Sequence, residues 1–182
     1  MIGAIHTILG FSALICGLAV FLRTKGTRFH VCLGRAYVIS MIGLNLTAFG
    51  IYRLFGEFGL FHWFAVGSLA TIVGGLIPAL LRRRIKHWIH FHYHFMAWSY
   101  VGLLAATSNE AFVHIPLLSE QAVKFRWLPW AGIGLIGLAG SIVIPLLANR
   151  TIGSIEPDGA ANGSQPIRSE TNRTSSAAGS RR

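Results

Sequence analysis

IGAIHTILGFSALICGLAVFL, residues 2–22, carries no charged side chain from end to end. At about 1.5 Å per residue a helix of this length matches a hydrocarbon core of about 30 Å. It begins directly after Met1, with no basic segment before it and no small-residue cleavage site behind it. It therefore reads as an uncleaved anchor. Four more apolar runs of similar length follow: Leu33 to Tyr52, Phe61 to Leu81, Phe91 to Asn109 and Leu128 to Ala148.

The whole chain agrees with that first run. Of its 182 residues 53% are hydrophobic and 12% charged, with a mean hydropathy of +0.56; a soluble domain averages roughly 25% charged residues. So little charge cannot clothe five apolar helices in water. The expected fold is an all-α integral membrane helical bundle with five transmembrane helices, a membrane domain over residues 1–150 and a tail over 151–182.

Cations set the expected orientation, because Lys and Arg flanking a span resist translocation. Arg23, Lys25, Arg28 and Arg35 surround the first connection; Arg82, Arg83, Arg84 and Lys86 fill the third; Arg150, Arg168, Arg173, Arg181 and Arg182 lie at or beyond the last span. Of the 16 basic residues only Arg53, Lys124 and Arg126 fall elsewhere, each near an acidic residue. The pattern predicts a multi-pass protein of the inner (cytoplasmic) membrane, amino terminus outside and carboxyl terminus in the cytoplasm. The formal charge of +10 is then topological. It is no footprint for nucleic acid, since no basic stripe interleaved with stacking aromatics accompanies it. From Thr151 onward the chain is rich in Gly, Ser, Ala and Asn and poor in large apolar residues, the composition of a disordered segment.

Several features invite enzymatic readings that their context removes. GIGLIGLAG, residues 132–140, contains the G-x-G-x-x-G pattern, but inside an apolar run its glycines serve helix packing. Pro78 and Pro145 kink or end helices, which membrane spans tolerate. Asn45, Thr47, Ser12 and Ser99 are intramembrane polar groups suited to interhelical or back-bonded hydrogen bonds. Cys16 and Cys32 sit at different depths, against a disulfide. No Ser-His-Asp, Cys-His or paired-carboxylate constellation is present, so the reading leans away from an enzyme.

What remains are 8 histidines, four of them in KHWIHFHYHFM, residues 86–96. By depth they form two tiers: His6 with His62 at the outer level, and His30 with His87, His90 and His94 at the inner level. At 100° per residue His87, His90 and His94 fall within about 60° of one another, while His92 points away. Three uses compete. As interfacial groups they join Trp88 and Tyr93 in the headgroup belt. As axial ligands, His6 with His62 and His30 with His90 or His94 would clamp two b-type haems between facing helices. Alternate helices then pair, an arrangement similar to the two-haem cytochrome b561 type of electron carrier. As a zinc or copper site, His87 and His94 are too far apart, about 10 Å, but His90 and His94 with His30 could converge. No scheme gives His92 or His114 a partner.

HTILGFSALICGLAVFL, KGTRFHVCLGRAYVISM and FMAWSYVGLLAATSNE, between residue 4 and about residue 110, resemble the bacterial family of predicted multi-pass membrane proteins known as DUF2306. The resemblance rests on His6 with Gly10 and Gly17, Lys25-Gly26 followed by His30, Gly34-Arg35 with Tyr37 and Met41, and Met96 with Ser99-Tyr100 and Glu110. It implies a helical membrane protein without an established activity. Arg35, just past His30, suits a lipid phosphate, a haem propionate or a quinone. Two functions thus stand side by side: a haem b transmembrane electron carrier working with a quinone or other redox partner, and a non-catalytic accessory or sensory membrane protein. Both are embedded in the lipid bilayer, and self-association as a homo-oligomer is open to either.

Overall fold

The computed structural model describes residues 1–55 and 60–153. Six helices make up these residues, with no strand among them: α1 (Ile2–Leu22), α2 (Arg28–Phe55), α3 (Leu60–Leu80), α4 (Trp88–His114), α5 (Pro116–Lys124) and α6 (Leu128–Gly153). α6 runs one turn past the expected end of the membrane domain. The remainder of the tail read as disordered lies outside the described residues.

α1 persists as long as its apolar side chains do and stops at Arg23, whose backbone turns extended. Lys25 folds back to close the end: its Nζ donates to the carbonyls of Val20 at 2.9 Å, Phe21 at 2.7 Å and Arg23 at 3.2 Å. These carbonyls have no helical partner and carry the negative end of the helix dipole. Burial lowers the Lys25 pKa below its ordinary value. Gly26 then takes φ +79°, the left-handed region open to glycine, and reverses the chain. Thr27 starts α2 by accepting the His30 N–H at 3.2 Å, an N-cap bond.

The first two helices run antiparallel: the carbons of Ile2 approach Gly50, Leu9 lies on Gly43 and Leu44 on Gly10. α2 packs on α3, α3 on α4, and α4 returns to α1, so these four close a ring; α6 lies outside it, against α4. Glycines set the close approaches. A Cβ on Gly74 would meet the Phe95 ring at 2.8 Å, one on Gly75 the Met96 side chain at 2.8 Å, and one on Gly140 the Val101 side chain at 2.8 Å. Of the three glycines in the G-x-G-x-x-G motif of α6, Gly132 packs on Ser108 and Phe112, whereas Gly134 and Gly137 face open space, so the motif is a packing face at its first position alone. Pro78 and Pro145 are accommodated inside α3 and α6 rather than ending them.

Ala13, Tyr37, Val38, Met41, Ile72 and Leu103 form the buried core. Large aliphatic side chains face outward instead, among them Ile15 (67% exposed) and Leu135 (67%). An outward apolar surface of this extent suits lipid, not water. α1, α2 as far as Gly50, α3 from His62 and α6 are each long and apolar enough to cross a membrane. The fifth expected span differs. α4 reaches that standard only together with α5, from which it bends by 89°. Its histidines, Ser99, Ser108 and Asn109 dilute it, and α5, a helix the sequence reading left as connection, begins where Pro116 takes the first helical position after an extended Ile115.

Candidate functional site

Hydrogen bonds stitch the bundle at successive interfaces. Asn45 Nδ2 donates to Ser68 Oγ at 3.1 Å between α2 and α3; Tyr37 Oη and Ser99 Oγ share a bond of 2.8 Å between α2 and α4. Tyr100 Oη donates to the Leu14 carbonyl at 3.3 Å, and Tyr93 Oη to the Ile144 carbonyl at 3.3 Å. Each such bond contributes about 0.6 kcal/mol in a membrane. The intramembrane Asn45, Thr47 and Ser99 therefore do what their type and position predicted. Tyr93, near the start of α4, also joins α4 to α6.

The histidines sit at the two ends of this core. His6 Nδ1 lies 2.9 Å from Thr47 Oγ1, and the His62 ring is 6.1 Å from that of Phe49. Thr47 and Phe49 are two residues apart on α2, so His6 on α1 and His62 on α3 flank one level of the same helix. Thr47 already donates its single hydroxyl hydrogen toward the Gly43 and Leu44 carbonyls, at 2.9 and 2.8 Å. It is left to accept from His6, which places the imidazole hydrogen on Nδ1 and leaves Nε2 with a free lone pair.

At the opposite end, the rings of His30 on α2 and His92 on α4 meet edge-on with centroids 6.4 Å apart. His92 Nδ1 is 2.8 Å from the Gly75 carbonyl. A carbonyl only accepts, so here too the hydrogen is on Nδ1 and Nε2 is free. His30 Nδ1 is buried without any hydrogen-bond partner. Leaving a buried polar nitrogen unmade costs about 1–3 kcal/mol, so this ring stands ready for a partner that the protein itself does not supply.

His90 and His94 stand apart from this contact. His90 is exposed, its ring 6.1 Å from that of His87, while His94 donates Nδ1–H to the His90 carbonyl at 2.9 Å. The predicted ridge of His87, His90 and His94 exists, but His92, on the other side of α4, is the one that meets His30. Periodicity separated the two sides, but the sequence reading set the His90 and His94 side against His30, whereas the ring that meets His30 is that of His92. A signal was available: His92, Met96, Ser99 and Leu103 repeat at heptad-like spacing, and all four are wholly or partly buried. His114, for which no partner was foreseen, approaches Glu110 at 3.1 Å on the exposed end of α4. Arg35 is exposed, turned about 140° from His30 around α2.

Among the described residues no three His, Cys, Asp or Glu side chains come together to hold a metal ion. A closed zinc centre needs four ligands, so the zinc or copper trio of His30, His90 and His94 is not formed. Cys16 and Cys32 are free thiols.

No curated protein and no solved structure matches this chain. The family described as predicted membrane protein (DUF2306) matches residues 3–148, four-fifths of the sequence. The chain belongs to that family.

Proposed function

We propose that this membrane protein is a one-electron carrier that holds two b-type haems, one at each end of its four-helix ring. The observation that carries the reading is diagonal placement. In a ring of α1, α2, α3 and α4, the pair His6 and His62 comes from one diagonal and the pair His30 and His92 from the other. Bundle cofactor sites are built in this way, from side chains on facing helices.

The donor set fits. Neutral imidazoles presenting Nε2, with Nδ1 bonded to a hydroxyl or carbonyl, are the usual axial ligands of haem iron. Haem, when bound, supplies reversible one-electron reduction. The chain's residues would hold and orient it: Thr47 and the Gly75 carbonyl set the ring tautomers of His6 and His92, and His30, whose Nδ1 has no hydrogen-bond partner among the described residues, completes the inner pair. Ala13, Tyr37, Met41 and Ile72 fill the space between the tiers and keep water out. Along α2, residues 30 and 47 lie about 25 Å apart, so the two tiers span most of a hydrocarbon core. His90 and His94 are the alternative inner ligands, on the face of α4 turned from His30.

Orientation belongs to the same reading. Arg23, Lys25, Arg28, Arg82, Arg83, Arg84, Lys86 and Arg150 all flank helix ends at the His30 level. That end then faces the cytoplasm of an inner membrane.

Protein purified in detergent from haem-replete cells is expected to show a Soret band and a sharp reduced α band, with two haems per chain. His62→Ala and His92→Ala should each remove one centre, and His94→Ala neither. A colourless preparation rejects the reading and leaves an accessory or sensory membrane protein. Loss of the inner centre in His94→Ala, with His92→Ala unaffected, would move the ligand across α4.

A further inference from the structure

The turn between α3 and α4 holds a feature that electron transfer does not use. Arg82, Arg83, Arg84, Ile85, Lys86, His87, Trp88, Ile89 and His90 wrap an open hollow of about 480 Å³. Arg82, Arg83, Arg84 and Lys86 are all exposed, and among the described residues none of them is paired with a carboxylate. Glu110 and Glu120, the acidic residues within the described helices, belong to the opposite end of α4 and to α5. Four like charges within five positions repel one another, a cost that an anion in the hollow removes.

From this geometry we infer that the α3–α4 hollow binds a phosphate-bearing anion, either a lipid headgroup or a soluble phosphate. The guanidinium groups offer paired N–H donors matched to phosphate oxygens. Lys86 adds a compact charge, and the His87 and His90 rings, 6.1 Å apart, line the same hollow. Below them α4 begins at Trp88 with no side-chain cap from His87, so its first backbone N–H groups face the same end. Trp88, Ile85 and Ile89 supply an apolar wall, which suits the glycerol and first methylenes of a lipid as well as it excludes water. This arrangement goes beyond a diffuse cationic skirt: the charges are gathered around one concavity of ligand size.

The test uses the full chain in a non-ionic detergent. Native mass spectrometry after addition of phosphatidylglycerol or of phosphatidylcholine reads lipid retention, and calorimetric titration with inorganic pyrophosphate reads the soluble source. One phosphatidylglycerol retained per chain in preference to phosphatidylcholine assigns a lipid headgroup; saturable one-to-one pyrophosphate binding assigns a soluble phosphate; both together assign the shared chemistry. Arg83→Gln/Lys86→Gln should weaken the binding at least about tenfold, and Arg83→Lys should recover part of it. Arg28→Gln/Arg150→Gln removes the same charge at the same end of the bundle and should leave binding unchanged. Absence of saturable binding by either probe, or an equal loss in both double variants, would overturn the inference. The spectral properties of any bound haem are a separate readout, so failure here and failure of the carrier reading are told apart.

Discussion

α1 and α4 belong to the same helical bundle, yet their chemistry differs. α1 contacts α2 and touches α4, and Ile8, Phe11, Ile15 and Leu18 stand outward toward lipid. α4 packs against α1, α3, α5 and α6 and carries Tyr93, Ser99 and Tyr100, whose hydroxyls bond other helices. The helix with the clearest membrane signature is thus the simpler one. The helix that falls short on hydropathy by itself is the one that organises the bundle. Between helices in lipid, apolar burial drives little, because lipid tails are as apolar as leucine. Specific association comes from close packing and hydrogen bonds, and the residues that supply these are the ones that lower hydropathy.

This contrast can be broken most forcefully at Gly17, where α1 meets α4. A Cβ there would lie 2.5 Å from the Tyr100 ring and 3.1 Å from that of Tyr37. Both rings are held by hydrogen bonds, so neither can swing clear freely. Gly17→Leu is expected to cost about 3 kcal/mol in a detergent unfolding assay. Gly67→Leu, with nothing within 4 Å, should change stability by less than about 0.5 kcal/mol. Equal losses would show that the α1–α4 contact carries no special weight.

A finer probe is Ser99→Ala, which leaves Tyr37 without its partner. The expected loss is about 0.6 kcal/mol and at most about 1.7 kcal/mol. Ser141→Ala, on the exposed side of α6 and bonded only to the Leu138 carbonyl, should cost less. The reverse order would mean that backbone back-bonding outweighs interhelical bonding here. Smallest of all should be Ile15→Ala, a side chain 67% exposed. Its removal replaces one apolar surface facing lipid with another, so a shift within about 0.5 kcal/mol is expected. A larger loss would place Ile15 against protein, as in a homo-oligomer.

The spans were legible because a helix in lipid must satisfy its own backbone and cover itself with apolar side chains over a known length. The clustering of cations at one set of helix ends was equally plain. The bend into α5 was not, since Pro116 opens a helix as readily as it closes one. At the candidate site, His6, His62 and His30 could be assigned to tiers from residue number alone, because height follows directly from position in a span. His92 could not. Height and helical spacing offered His87, His90 and His94 on α4 and set His92 aside, and choosing the right side required knowing which side of the helix looks inward.

Residue order alone therefore determined that this chain is a helical membrane protein, at which end of its helix each histidine lies and where its cations gather: these are properties of single helices read one at a time. Rotation of each helix about its axis was decided only by tertiary structure. It follows from glycines receiving neighbouring rings, hydroxyls finding partners and a single imidazole turning toward His30, contacts between residues such as Tyr37 and Ser99 that stand 62 positions apart in the chain.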